Sequence, residues 1–306
     1  MHSPGPSATA PDRGLALGMM GGMVAVTAWG LSGVVAKNIE MGSLAIAAYR
    51  FALYVVVVGG IMAMRGTPIT LRVLRHSFWG GLALAADVAL FFTAVKLTTI
   101  VNATVTGALQ PVIVSAIAAR FFGERIDRRD MVLAAVAVAG AVIVVLGSTG
   151  RPEWNIRGDL ASVGALFAWS AYFVFSKQSQ TQISSAEYTA GASVYTAVIN
   201  APLALLFGQS LGWPSGESWI WLGVLAFGAG VFGHGLMNWS LHRIPLWVAS
   251  TMTLLIPVAA SIAAWVFLDE PLNALQIVAM AAVLGSLAGI VSRQAGVGSV
   301  PRPLRR

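Results

Sequence analysis

Three ionisable side chains, Arg50, Asp87 and His234, stand deep inside stretches that are otherwise almost wholly apolar. Carrying such groups into hydrocarbon is costly, so they turn toward a cavity, a substrate path or one another. A guanidinium at position 50 can grip a carboxylate through two parallel hydrogen bonds; the alternative is a structural pairing with helix carbonyls or with Asp87. Asp87 can hold an ammonium group, carry a coupling proton, or sit protonated and hydrogen-bonded. Imidazole titrates near neutral pH, which makes His234 either a proton carrier or a polar packing residue. Trp29, Phe91, Trp169, Tyr172 and Trp239 lie in the same stretches. Rings facing a cavity offer stacking and cation–π attraction to a cargo; rings facing helices only pack. Lys37 and Lys177 fall near stretch ends, where long cationic side chains snorkel to an interface or turn inward as gates. Pro111, Pro202 and Pro257 interrupt helical hydrogen bonding and, with Gly233 and Gly235, are the hinge candidates.

The elements that must position these groups are membrane helices. Of 306 residues, 57% are hydrophobic and 10% charged, against about 25% charged in a soluble domain; mean hydropathy is +0.77. The apolar residues form runs approaching the ~20 needed to cross a ~30 Å hydrocarbon core, and helices satisfy their own backbone there without water. The runs predict spans over 14–36, 43–64, 77–95, 99–122, 130–148, 158–176, 186–208, 217–239, 246–268 and 273–292. Connections are short, which places consecutive spans side by side and antiparallel and leaves no room for a soluble catalytic domain. Met1 to Arg13 lacks the pattern of a removable leader, so the first span is expected to be retained.

The net charge of +7 follows topology and does not signal nucleic acid. Arg65, Arg72, Arg75, Arg125, Arg128, Arg129, Lys177 and Arg243 fall on the side of the N-terminus, with Arg13 and the basic C-terminal tail. Only Lys37, Lys96, Arg151 and Arg157 fall opposite. Basic loops stay cytoplasmic, so both tails, 1–13 and 293–306, are expected there. Cysteine is absent, and neither a zinc-type His-Glu-x-x-His nor a phosphate-binding Gly-rich loop occurs. No metal and no cofactor is expected; the expected partners are a small-molecule substrate and the lipid bilayer, with the chain working as a monomer.

The sequence repeats itself. Ala28-Trp29 and Lys37 recur as Ala168-Trp169 and Lys177 at the same spacing. Pro111, Ser115, Ala118, Phe121 and Glu124 recur without a gap as Pro257, Ser261, Ala264, Phe267 and Glu270, and Asp87 then corresponds to Gly233. The repeats cover 14–148 and 158–292. Each holds five spans, an odd number, so the second copy must be threaded upside-down relative to the first. Inverted repeats around a site at the bilayer midplane are a plan of secondary transporters, and two mirror-related gates suit alternating access.

On the Ala28-Trp29 segment, the Pro111…Gly123-Glu124 end and the Pro257…Asp269-Glu270-Pro271 end, the chain resembles the drug/metabolite transporter superfamily. It is most similar to the ten-helix exporters built from two EamA-type repeats, and among these to bacterial amino-acid exporters, including those for aromatic amino acids. The resemblance implies an all-α membrane fold of ten helices around a central cavity, with Glu124 and Glu270 in structural roles. It implies export of amino acids or similar small metabolites across a bacterial cytoplasmic membrane. A passive channel is the alternative. Gly30-Leu31-Ser32-Gly33 also fits an intramembrane serine protease pattern with His234 as base, a cheap match in a chain with 33 glycines.

Overall fold

The computed structural model describes residues 13–98, 100–148 and 155–297. Among them the apolar runs form ten helices long enough to cross a membrane: Arg13–Ala36, Ser43–Met64, Leu71–Ala94, Ala103–Phe121, Arg128–Gly147, Ile156–Ser179, Ser185–Leu206, Gly216–Leu241, Leu246–Leu268 and Ala274–Ala295. The protein is therefore a multi-pass, all-helical membrane protein. The third helix starts earlier than the run at 77 suggests, because Thr70 caps it by accepting the Val73 N–H. Its first turns keep Arg72, Arg75 and His76 exposed, and Arg72 donates to the Gln182 carbonyl at 2.5 Å.

Local chemistry sets the other ends. Asn155 and Ser215 cap the sixth and eighth helices, and Ser184 forms a reciprocal capping box with Glu187 at the seventh; each cap satisfies amides a helix start leaves open. After the fourth helix Gly123 takes a positive φ of 64°, and Asp269, at the equivalent position after the ninth, takes 54°. The left-handed turn is thus kept in both repeats, though only the first uses the residue that adopts it without strain.

Helix partners also repeat. The first helix packs on the eighth and ninth, as the sixth packs on the third and fourth; the second meets the seventh and eighth, as the seventh meets the second and third; the fifth and tenth pair, and the fourth touches the ninth. Exchanging the halves reproduces the pattern. Close approach of the third and seventh needs small residues: a Cβ on Gly80 or Gly81 would collide with the rings of Tyr188 or Tyr195. Arg293 ties the tenth helix to the fifth, pairing with Asp130 at 2.6 Å and Asp127 at 2.5 Å.

The fourth and ninth helices are each broken at the same place. The fourth is two pieces, Ile100–Gly107 and Gln110–Phe121, and the ninth is Leu246–Met252 and Leu255–Leu268. Pro111 and Pro257 open the second piece of each, where a missing amide costs little. Pro202 lies inside the seventh helix, just over a turn before its end at Leu206. The eighth helix is π-helical from Ala226 to Gly235, the segment holding Gly233, His234 and Gly235; no pattern of apolar residues announces it.

Candidate binding site

Where the broken fourth and ninth helices meet the first, second, third, sixth and eighth, they leave a cavity of about 660 Å³, a size suited to a small molecule. It runs from mid-membrane to the face opposite the chain ends, since Ile39, Met41 and Ser43 from the loop there line it. Of the residues singled out from sequence, Trp29, Arg50, Asp87, Phe91, Trp169, His234 and Pro257 line it. Tyr172 and Trp239 do not. Tyr172 is buried behind the wall, and Trp239 lies further toward the chain ends with the Arg243 guanidinium 3.7 Å from its ring centre.

Arg50 and Asp87 enter from the second and third helices with opposite charge. Among the described residues neither has a hydrogen bond or an ion pair within 4 Å; Arg50 lies over the Phe51 ring at 4.6 Å. A guanidinium and a carboxyl that face one apolar-walled space, close enough to act on each other electrostatically but not joined in an ion pair, can receive a ligand with a carboxylate and an ammonium group. The walls are aromatic: Trp29 meets Trp169 edge-on with centroids 6.1 Å apart, and His234 edge-on at 5.1 Å. Gly233 permits the second approach, because a Cβ there would strike the Trp29 indole. Ser32 of the protease-like pattern donates its hydroxyl to the Trp29 carbonyl at 2.6 Å and forms no bond to His234. The nucleophile–base pair that chemistry needs is not assembled.

Below the cavity, toward the chain ends, the helices are sealed. Asn238 donates to the Tyr172 hydroxyl at 2.7 Å and to Thr189 Oγ1 at 2.8 Å, and accepts from Ser176 at 2.8 Å. All four are buried, and together they join the sixth, seventh and eighth helices. Lys177 Nζ donates to the carbonyls of Leu241 and Ile244 at 2.6 and 2.9 Å. Glu124 accepts the amides of Leu246 and Trp247 at 2.7 and 3.1 Å, capping the ninth helix. The side chain of Lys37, the equivalent of Lys177, lies outside the described residues. At the opposite end of the bundle, Gln209 Oε1 accepts the amides of Leu44 and Ala45 and Tyr49 donates to the Leu211 carbonyl, which ties the second helix to the connection between the seventh and eighth.

Asn238, Thr189 and Ser176 were not legible as a set. An asparagine in an apolar run is a signal, since it must find partners in a membrane, but nothing in spacing names a serine 62 residues away.

Comparison with known proteins adds to this geometry. The model of the "EamA-like transporter family" matches residues 16–146 and again 156–292. A "Probable amino-acid metabolite efflux pump" of Salmonella typhimurium is 26% identical over 281 residues, covering 87% of this chain and 91% of that protein. "Aromatic amino acid exporter YddG" of Ancylobacter novellus is 30% identical over 155 residues, 49% of this chain and 52% of that one. A crystal structure of another protein, 21% identical, superposes with a TM-score of 0.79 over 91% of this chain and 98% of that chain, a likeness of fold.

Proposed function

We propose that this chain, which belongs to the EamA-like transporter family, exports amino acids, aromatic ones among them, across the cytoplasmic membrane of a bacterium. The observation that carries the reading is Arg50 and Asp87 facing one aromatic-walled cavity with no direct ion pair between them. Arg50 meets the cargo's carboxylate, Asp87 its ammonium, and Trp29, Trp169 and Phe91 flank its side chain. The relatives named for amino-acid efflux are bacterial, which supports both cargo and direction. The basic residues on the side of the chain ends support cytoplasmic termini.

Alternating access follows from the two halves. Five spans in each support an inverted relation, and the exchangeable helix contacts support an axis in the membrane plane. In the state described the cavity opens at the face opposite the chain ends, and the end nearer them, read here as cytoplasmic, is shut by Lys177, Glu124 and the Asn238 cluster. In the opposite state these release while the outer mouth closes, with the broken fourth and ninth helices taking up the bend. The repeats 14–148 and 158–292 act as the two moving halves of one monomer.

The test is counterflow. Purified protein in liposomes preloaded with unlabelled tryptophan or phenylalanine should accumulate the labelled amino acid transiently, because a carrier exchanges cargo across its two states. Equilibration without overshoot would mean an open pore. Transport of none of the twenty amino acids would overturn the cargo assignment.

A further inference from the structure

We propose that Gly33 and Gly107 set the size of cargo the cavity admits: the side chains these positions lack are the room an aryl side chain occupies, and filling either one turns the cavity toward small amino acids. The inference rests on the amino-acid reading of the cavity and names the positions that decide which side chains fit.

Gly33 and Gly107 are the two glycines among the residues lining the cavity. A Cβ on either would meet nothing within 4 Å. Packing explains other glycines of the first helix: a Cβ on Gly18, Gly21, Gly22 or Gly30 would strike the eighth helix, the ninth or the loop between them. It does not explain Gly33, which stands inside a helix, where glycine is among the least favourable residues. Neither Gly33 nor Gly107 takes the left-handed backbone that favours glycine. What a side chain would remove at both places is cavity.

Helical side chains lean toward the N-terminus, onto the residues three and four positions earlier. At position 33 a side chain would lean over Trp29, one turn deeper, and cover a ring that lines the cavity. At position 107 it would lean over Ala103 and Thr104, which with Ala108 make this piece of the fourth helix a wall of small residues. The repeat shows what bulk such places can hold, because Gly33 corresponds to Phe173 and Gly107 to Thr253. Phe173 is fully buried, its ring centre 6.4 Å from that of Trp29 and 6.1 Å from that of Trp169. In the second half a phenyl ring of the chain itself fills the position; in the first half the position is open, and the cargo's ring takes it. Arg50 and Asp87 reach in from the second and third helices, and the two glycines stand on the first and fourth.

The test uses the full chain in liposomes, reading the half-saturating concentrations of tryptophan, phenylalanine and serine in counterflow. Gly33→Val and Gly107→Val are each expected to raise the value for tryptophan about tenfold or more, the effect of a few misplaced carbons in an apolar pocket. Serine is expected to stay within about twofold. Gly33→Ala and Gly107→Ala add one methyl group into open space and should shift tryptophan in the same direction by less, so the trend is read even where a valine variant fails to insert. Gly60→Val, at a glycine with equally open surroundings away from the cavity, should shift neither cargo. Should serine not be carried by the unaltered chain, phenylalanine is the smaller partner. Values that do not move, or that rise equally for large and small cargo, overturn the proposal. So does a fall in maximal rate alone, which would make the glycines room for closing the mouth, and so does an unaltered chain that carries serine but not tryptophan. Transport of none of the three overturns the amino-acid reading instead.

Discussion

Replacing Asn238 with leucine should open the sealed end of the cavity. Asn238 makes three hydrogen bonds, to Tyr172, Thr189 and Ser176, all at 2.7–2.8 Å between buried groups. Side-chain hydrogen bonds inside membrane proteins average ~0.6 kcal/mol, so the three together are worth about 2 kcal/mol. Thr189 keeps its bond to the Ser185 carbonyl, whereas the Tyr172 hydroxyl loses the partner it has, which adds to the cost. If the cluster exists only when that end is shut, about 2 kcal/mol multiplies the population with it open by roughly thirtyfold, at a factor of ten per 1.4 kcal/mol. The chain has no cysteine, so Ser240→Cys, at a buried position against Gly21, is a unique reporter. Membrane-impermeant maleimide added from the side of the chain ends should label Asn238→Leu/Ser240→Cys ten- to thirtyfold faster than Ser240→Cys alone. Identical labelling rates would show that the cluster does not distinguish the two states.

Other perturbations separate binding from architecture. Asp87→Asn should raise the half-saturating concentration of an amino acid ten- to a hundredfold, the value of a charge-assisted bond, but leave a deaminated analogue unaffected; Arg50→Gln should show the reverse pattern with a decarboxylated amine. Gly233→Ala pushes a methyl group into the Trp29 indole and should reduce transport, with partial recovery on adding Trp29→Phe. Asp130→Asn should destabilise the pairing of the fifth and tenth helices by about 1–3 kcal/mol, read by thermal unfolding in detergent, since Asp130 is buried and Arg293 half-exposed. Its neighbour Asp127 is held below the usual carboxylate range by the Arg129 amide, with Arg293 assisting. Its contribution is therefore present above the unfolded value near 4 and lost as pH falls below it, so the cost of Asp127→Asn should vanish in acid. His242, past the end of the eighth helix, is held below its ordinary value by burial, then by Lys177 and Arg243. It is neutral at pH 7, and protonation as pH falls adds a cation beside two others. Acidifying the side of the chain ends from pH 7.5 to 5.5 should loosen that end, and His242→Phe should flatten the response in the maleimide assay.

Much of the fold was legible because the bilayer imposes one rule. Runs of ~20 apolar residues have few alternatives to a helix, and ten runs gave ten helices with ends displaced by a few residues. The largest displacement, at Leu71, arose where Arg72, Arg75 and His76 make a helix start look like a loop. Arg50, Asp87, Trp29, Trp169 and His234 stood out because a charge or a large ring in an apolar run asks for a partner, and one cavity collects them. What hydropathy misses is backbone register. The π-helical stretch from Ala226 to Gly235 has the composition of a glycine-rich α-helix, and only the packing of Tyr54 and Trp29 against Gly230 and Gly233 shows where the wider turn lies. Tyr172 shows the complementary failure: its position in the sixth helix is that of a cavity residue, but Asn238, on another helix, draws its hydroxyl into the seal.

The repeat relates the two ends of the cavity position by position, and the comparison shows how one end stays shut. Tyr172, Ser176 and Asn238 correspond, through the offsets set by Trp29/Trp169 and Pro111/Pro257, to Ser32, Ala36 and Phe92. The first three are buried in the seal; the second three line the open cavity. Backbone architecture is shared between the halves, so either end has the helices needed to close. Lys37 and Glu270 stand where the shut end has Lys177 and Glu124, but the hydrogen-bonded cluster around Asn238 has no counterpart. A closed outer end would bring a small hydroxyl, a methyl and a phenyl ring together where the other end has an amide bonded to three hydroxyls. A phenylalanine and an alanine gain little by contact when the alternative is an apolar cavity wall or lipid, whereas buried polar groups must find partners. The unloaded protein should therefore rest with its outer end open, and cargo bound between Arg50, Asp87 and the ring walls supplies what the outer seal lacks. Closure of that end then depends on occupancy, which is the condition a carrier must meet to avoid leaking.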